Sequence, residues 1–134
     1  MVEIDMMRDG LEYLSHNEHY KVIKSEVPFL SRCIDAVLVD TMDNIISIEF
    51  KISKWRQAIE QANNHKLGAD SAYICLPKRR ITETLAAAVK EAGVGLLLYD
   101  ANSSEKISVT IPAPAEKENI SAFRNILLLT LDKI

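Results

Sequence analysis

Glu49 and Lys51 stand two residues apart at the end of the run Ile-Ile-Ser-Ile-Glu-Phe-Lys, residues 45–51. In a β-strand, residues two apart face the same side. The carboxylate and the ammonium would therefore stand together, while Ile46, Ile48, Phe50 and Ile52 line the other face. Charges at the end of an apolar strand are costly unless they are paired or bound to a metal. Asp35 is the one acid inside a second apolar run, Arg32 to Val39. It shares a face with Cys33, Val37 and Val39, and Ile34, Ala36 and Leu38 take the other. If the two runs pair, Asp35 meets Glu49.

Two carboxylates held close repel, and burial adds to the cost of ionising them; a nearby ammonium or divalent cation reverses this. One or two carboxylates with open positions suit Mg²⁺ or Mn²⁺. Such a cation lowers the pKa of a bound water and neutralises charge building on a phosphorane-like transition state. A lysine beside that water orients it or stabilises the charge. The chemistry these parts suit is phosphodiester hydrolysis. The four glycines, at positions 10, 68, 93 and 95, form no nucleotide-binding loop, and no Ser-His-Asp spacing supports a hydrolytic triad.

The elements that must position these residues follow from the pattern. Ile4, Met7, Leu11 and Leu14 predict a helix over Val2–Ser15, with Gly10 weakening its centre. His16 and His19 fall in a polar connection and read as solvated loop residues rather than ligands. Tyr20–Val27 is a first strand, stopped by Pro28 or marked by it as an edge. Arg32–Val39 is a second, and Asp40–Asn44 is a turn leading antiparallel into the 45–51 strand. Ser53 is placed to cap a helix over Lys54–Lys66, whose stripe Trp55, Ala58, Ile59 and Ala62 packs on the sheet. Gln61 lies on the flank of that stripe, near Ala58 and His65. Gly68 fits the helix exit. Ser71–Leu76 is a strand stopped by Pro77 and followed by the basic loop Lys78-Arg79-Arg80. Thr82 caps a helix with stripe Leu85, Ala88, Val89 and Ala92, ending at Gly93. Val94–Tyr99 is a central strand, Lys106–Ile111 an edge strand and Pro112–Pro114 a break. A last helix begins at Asn119 or Ser121. The fold class expected is α/β, a mixed sheet with helices on both faces.

The series Asp35, then Glu-Phe-Lys at 49–51, then Trp-Arg-Gln-Ala-Ile-Glu-Gln-Ala at 55–62, then Ala-Tyr-Ile-Cys-Leu-Pro at 72–77 resembles the PD-(D/E)XK nuclease superfamily. Ser-Glu-Val at 25–27 and Ser-Arg-Cys-Ile-Asp at 31–35 also resemble that family's approach to its first acid. The resemblance covers about residues 3–100 and departs at Ile34, where the motif names a proline. It implies the restriction-endonuclease-like three-layer α/β/α fold with a central mixed β-sheet. It implies Asp35 and Glu49 as metal-binding acids, with the Phe50 backbone carbonyl completing the ligands of Mg²⁺ or Mn²⁺. It implies Lys51 as the catalytic lysine and Gln61 as a residue supporting the site. An acid on the first helix, Glu3 or Glu12, joins the site in some members. The activity implied is a metal-dependent nuclease, acting on DNA in the first reading.

Size and composition bound this. A chain of 134 residues with 48% hydrophobic residues fits one domain, 1–134, with a real core. Net charge −3 and pI about 5.6 exclude a generally basic surface, so a nucleic-acid partner must be held by a local basic patch or through metal ions. No apolar run reaches the roughly 20 residues of a membrane span. The acidic start Met-Val-Glu-Ile-Asp does not resemble a signal peptide. Cys33 and Cys75 both sit in apolar runs and read as buried, reduced thiols of a cytoplasmic protein. The competing reading is a catalytically silent binding or assembly subunit on the same fold, for which the negative charge speaks. In the last helix Ile120, Phe123, Leu127 and Leu131 make one stripe. Ile126, Leu128 and Leu129 widen it beyond what one face needs, which suggests a homodimer contact.

Overall fold

The computed structural model describes residues 2–115 and 119–133. Ten elements follow in order: α1 Glu3–Ser15, β1 Tyr20–Phe29, β2 Arg32–Asp40, β3 Ile45–Phe50, α2 Trp55–His65, β4 Ser71–Pro77, α3 Glu83–Ala92, β5 Gly95–Tyr99, β6 Ile107–Ile111 and α4 Ser121–Lys133. The six strands form one sheet in the order β1-β2-β3-β4-β5-β6, so every strand lies beside its neighbours in sequence. β1, β2 and β3 are antiparallel, joined by short turns. β3, β4 and β5 are parallel, because α2 and α3 supply the crossovers that parallel pairing needs. β6 closes the edge antiparallel to β5.

The sheet is covered on both faces. On one side, Met6, Met7 and Leu14 of α1 pack on Ala36, Leu38, Ile48, Phe50, Leu97 and Ile107. Gly10 permits this approach: a Cβ there would lie 3.0 Å from the Ile107 side chain and 3.4 Å from the Phe50 ring. On the other side, Ala58, Ile59 and Ala62 of α2 and Leu85 and Val89 of α3 meet Ala72, Ile74, Leu76 and Leu96. α4 lays Leu127 and Leu131 over Val27, Phe29, Val37, Val39 and Ala69 on that same side. Asp70 fastens α4 to the sheet. Its carboxylate accepts from the Ile45 N–H at 2.7 Å, the Asn119 amide at 2.8 Å and the Arg124 guanidinium at 3.2 Å.

Several local expectations are corrected. β1 is an edge strand, the second of the two readings of Pro28, but it runs past that proline to Phe29, and a two-residue turn, Leu30-Ser31, joins it to β2. Both turn residues are left-handed, with φ of 50° and 68°. Such turns usually carry Asn-Gly, and a residue with a Cβ costs on the order of 1–3 kcal/mol there. Cys33 beyond that turn is exposed, whereas Cys75 is buried, and burial pushes the Cys75 thiol far up. The N-cap of α2 is Lys54 rather than Ser53, and the Lys54 side chain makes no cap hydrogen bond. Thr82 does cap α3, accepting from the Leu85 N–H at 3.1 Å, and Gly93 ends it with φ of 69°. In α4, Leu128 packs half-buried against its own chain, while Ile126 and Leu129 are 48% and 60% exposed.

Candidate functional site

The β2–β3 ladder runs in register from Val39 opposite Ile45 to Ala36 opposite Ile48 and then stops. At the next step each strand turns a backbone N–H toward the other strand's carboxylate. The Asp35 N–H donates to Glu49 Oε1 at 3.2 Å, and the Phe50 N–H donates to Asp35 Oδ2 at 2.9 Å. Two ladder bonds are thus replaced by two bonds to acids. The exchange opens the sheet end and fixes both side chains with no help from a long loop.

Glu49 is 3% exposed, and its carboxyl is pushed up to about 8 by burial and by the negative charge of Asp35 beside it. The charge of Lys51 acts in the opposite direction. Lys51 lies one residue beyond β3. Its N–H donates to the Cys75 carbonyl at 3.0 Å, which carries the parallel ladder one step further. Asp35 and Phe50 also line a cleft of about 240 Å³ on the α1 side, together with Glu3 and Glu26. Between Glu3 and Glu12, the structure brings Glu3 to this place: its Oε1 accepts from the Ile52 N–H at 2.9 Å, just past Lys51. Glu12 is exposed and does not line the cleft. Glu26 of β1 lines the same cleft with a left-handed φ of 51°; the sequence offers it only within Ser-Glu-Val at 25–27, with no role of its own.

His65 is the second residue that sequence reasoning missed. It is 6% exposed at the end of α2, with Nε2 3.7 Å from Glu49 Oε1. Burial lowers its imidazole to about 4, so it is neutral at physiological pH. Its place was legible: Ala58, Ala62 and His65 fall at i, i+4 and i+7, one buried helix face. Gln61 stands one turn earlier, half-buried. Gln61 Oε1 and His65 Nδ1 are both sealed from solvent with no hydrogen-bond partner among the described residues. Both residues line a cavity of about 490 Å³ between α2 and the β1–β2 turn.

β4 runs parallel to β3 and leaves the sheet at the same end, which sets the exposed loop Lys78-Arg79-Arg80 at the site's end of the sheet. His16 and His19 are exposed near the opposite end, where the His19 carbonyl accepts from Thr41. Among the described residues, no three His, Cys, Asp or Glu side chains already converge on one cation position. The hard oxygen donors of Asp35 and Glu49, in contact at an opened strand end, still fit a Mg²⁺-class ion that keeps several waters. Among those residues, no helix is long and apolar enough to cross a membrane.

No protein-family model matches the sequence, and no curated protein does. Solved structures do. A protein of unknown function from Silicibacter pomeroyi, SPO1766, is similar over 99% of this chain and 86% of its own, with TM-score 0.70 and 20% identity. EndoMS, solved as a complex with double-stranded DNA, is similar over 74% of this chain, with TM-score 0.51 and 14% identity; the chain spans 45% of its length. A repair endonuclease from Pyrococcus abyssi is more distant, with TM-score 0.45 and 17% identity over 69% of this chain and 43% of its own. At these identities the likeness is one of fold. The chain has the restriction-endonuclease-like α/β fold, a central mixed sheet with helices on both faces.

Proposed function

We propose that this chain is a metal-dependent nuclease of the PD-(D/E)XK type, a single domain that hydrolyses phosphodiester bonds in DNA. The observation that carries the reading is the exchange of Asp35 and Glu49 across the opened β2–β3 end, with Lys51 next along the chain. A fold has no structural need to bury one carboxylate against another. The arrangement becomes favourable when a cation joins it.

Asp35, Glu49 and the Phe50 carbonyl would hold one Mg²⁺ or Mn²⁺. When bound, such an ion supplies an activated water and screens the charge that develops on the phosphate. Lys51 aligns the attacking water and stabilises the same charge. Glu3 holds the backbone after Lys51 in place, and Gln61 supports the site from α2. The solved DNA complex on this fold supports DNA as the polymer, and the basic loop 78–80 is placed to meet phosphates beyond the cut. The reading includes a homodimer through the exposed Ile126 and Leu129 of α4 and a reducing, cytoplasmic setting in which Cys33 stays a free thiol.

The alternative is a catalytically silent binding or assembly subunit. Its support is the net charge of −3 and the three carboxylates, Glu3, Glu26 and Asp35, around the cleft. Cleavage of supercoiled, linear, single-stranded and branched DNA and of RNA, with Mg²⁺ or Mn²⁺, separates the two. Wild type is expected to cut with metal and Lys51→Ala and Asp35→Asn to lose that activity. Equal cutting by wild type and variants refutes the site; no cutting of any substrate, with DNA still bound, favours the silent subunit.

A further inference from the structure

The cavity of about 490 Å³ between α2 and the β1–β2 turn shares only Gln61 with the chemistry above. We infer that it receives a single nucleobase, unstacked from the strand being cut. This inference rests on the nuclease reading and names a feature of its substrate.

Its volume lies within the roughly 300–1,000 Å³ of small-ligand sites. Its lining matches a base. Phe29 and Leu30 offer apolar surface for a planar face, and Gln61 and Asn64 offer carboxamides for a hydrogen-bonding edge. Arg32 supplies a guanidinium suited to the phosphate attached to that base.

The position fits as well. His65 is shared: it lines the cavity and stands 3.7 Å from Glu49 on its other side. A base in the cavity is thus held one side chain away from the catalytic acids, as a nucleotide flanking the scissile phosphate must be. The turn adds an independent sign. Leu30 is 42% exposed and sits in a left-handed conformation that glycine or asparagine would adopt more easily. An apolar side chain is kept on the cavity wall in spite of that strain. Apolar side chains of this kind are what proteins place against unstacked bases.

Cys33 provides the assay, since it lines the cavity and is exposed while Cys75 is fully buried. The rate of Cys33 alkylation by iodoacetamide is followed on the whole chain without metal. The ligands are the four deoxynucleoside monophosphates, deoxyribose 5-phosphate, a short single-stranded oligodeoxynucleotide and its fully abasic counterpart. The oligodeoxynucleotide and at least one monophosphate are expected to slow alkylation, about tenfold at a concentration ten times Kd. The base-free ligands leave the rate unchanged, and Leu67→Trp, which fills the cavity from an exposed position, abolishes the protection. Equal slowing by deoxyribose 5-phosphate or the abasic strand overturns the inference in favour of a phosphate site. Slowing by free monophosphates but not by the oligodeoxynucleotide overturns the assignment to a strand, and no slowing at all overturns the pocket. Because no metal is present, a chain that cuts nothing can still show protection, and a chain that cuts without protection loses only this inference.

Discussion

Replacing Glu49 by glutamine is expected to stabilise the metal-free protein at neutral pH. Glu49 sits with its carboxyl raised from 4.5 to about 8, by burial first and then by Asp35. A carboxyl raised on folding favours the folded state fully below its unfolded pKa, and that stability is lost as pH rises toward the folded pKa. At pH 7 the folded chain keeps a proton that the unfolded chain has released. The gap of about 2.5 pH units above the unfolded value corresponds to about 3 kcal/mol. At pH 5 the same reasoning leaves about 1 kcal/mol or less. Glutamine removes the titration and keeps an oxygen for the Asp35 N–H. Its new amide must find a partner, which trims the gain to roughly 1–3 kcal/mol. For a chain of this length that is a rise in Tm of roughly 3–6 °C per kcal/mol. Thermal and urea unfolding of Glu49→Gln and wild type at pH 5, 7 and 8.5 measure it. With Mg²⁺ at a hundred times its Kd, wild type alone gains about 2.7 kcal/mol, so the difference closes or reverses. A variant no more stable than wild type at pH 7 without metal, or a gain as large at pH 5 as at pH 8.5, refutes the claim that the two acids strain the empty fold.

Asp70→Ala is expected to cost on the order of 2–4 kcal/mol in urea unfolding and to speed amide exchange along α4, because it strips the Ile45 N–H, Asn119 and Arg124 of their shared acceptor. Asp9 is held below 3.8 by Lys106 and by the Tyr99 hydroxyl, so it contributes stability above the unfolded pKa that is lost as pH falls through the lowered value. Acid titration of Asp9→Asn, followed by circular dichroism, should show a shallower loss of stability below about pH 4 than wild type. In α4, Ile126→Glu with Leu129→Glu is expected to halve the mass seen by light scattering and leave the fold intact. Leu128→Glu should instead lower Tm, since that side chain packs on its own sheet. A wild type already monomeric removes the dimer.

The order of elements was legible because alternation and helical stripes are written by burial itself, and Trp55, Ala58, Ile59 and Ala62 left little choice. Asp35 and Glu49 could be paired on paper because a five-residue turn joins their strands. The way they meet could not. A period of two assumes an unbroken ladder, and here the ladder stops at Ala36 and Ile48 so that carboxylates can take its place. The exposure of Cys33 escapes the pattern for the same reason: alternation does not reveal that the β1–β2 turn projects past β3. That turn was itself hidden, since Leu30-Ser31 carries neither glycine nor asparagine. His65 was visible as a stripe position, but its approach to Glu49 depends on how α2 seats on the sheet. Glu26 carried a signal only as part of Ser-Glu-Val, and no side-chain pattern encodes the left-handed backbone it adopts beside the cleft.

The strand order has a consequence for the nascent chain. Because sheet order equals chain order, each strand after β1 leaves the ribosome with a partner already made, and the sheet can grow by simple addition. One surface breaks this economy. Val27, Phe29, Val37 and Val39 are complete by Asp40, yet their cover begins only at Ser121. At about 5–20 residues per second that interval is about 4–16 s. During it a greasy sheet face is open to water and to other chains. Chains arrested just before Ser121 should therefore recruit a hydrophobic dye or a holding chaperone, and release it once α4 has cleared the tunnel. Arrested chains that recruit neither would mean that the face stays unformed until its cover arrives.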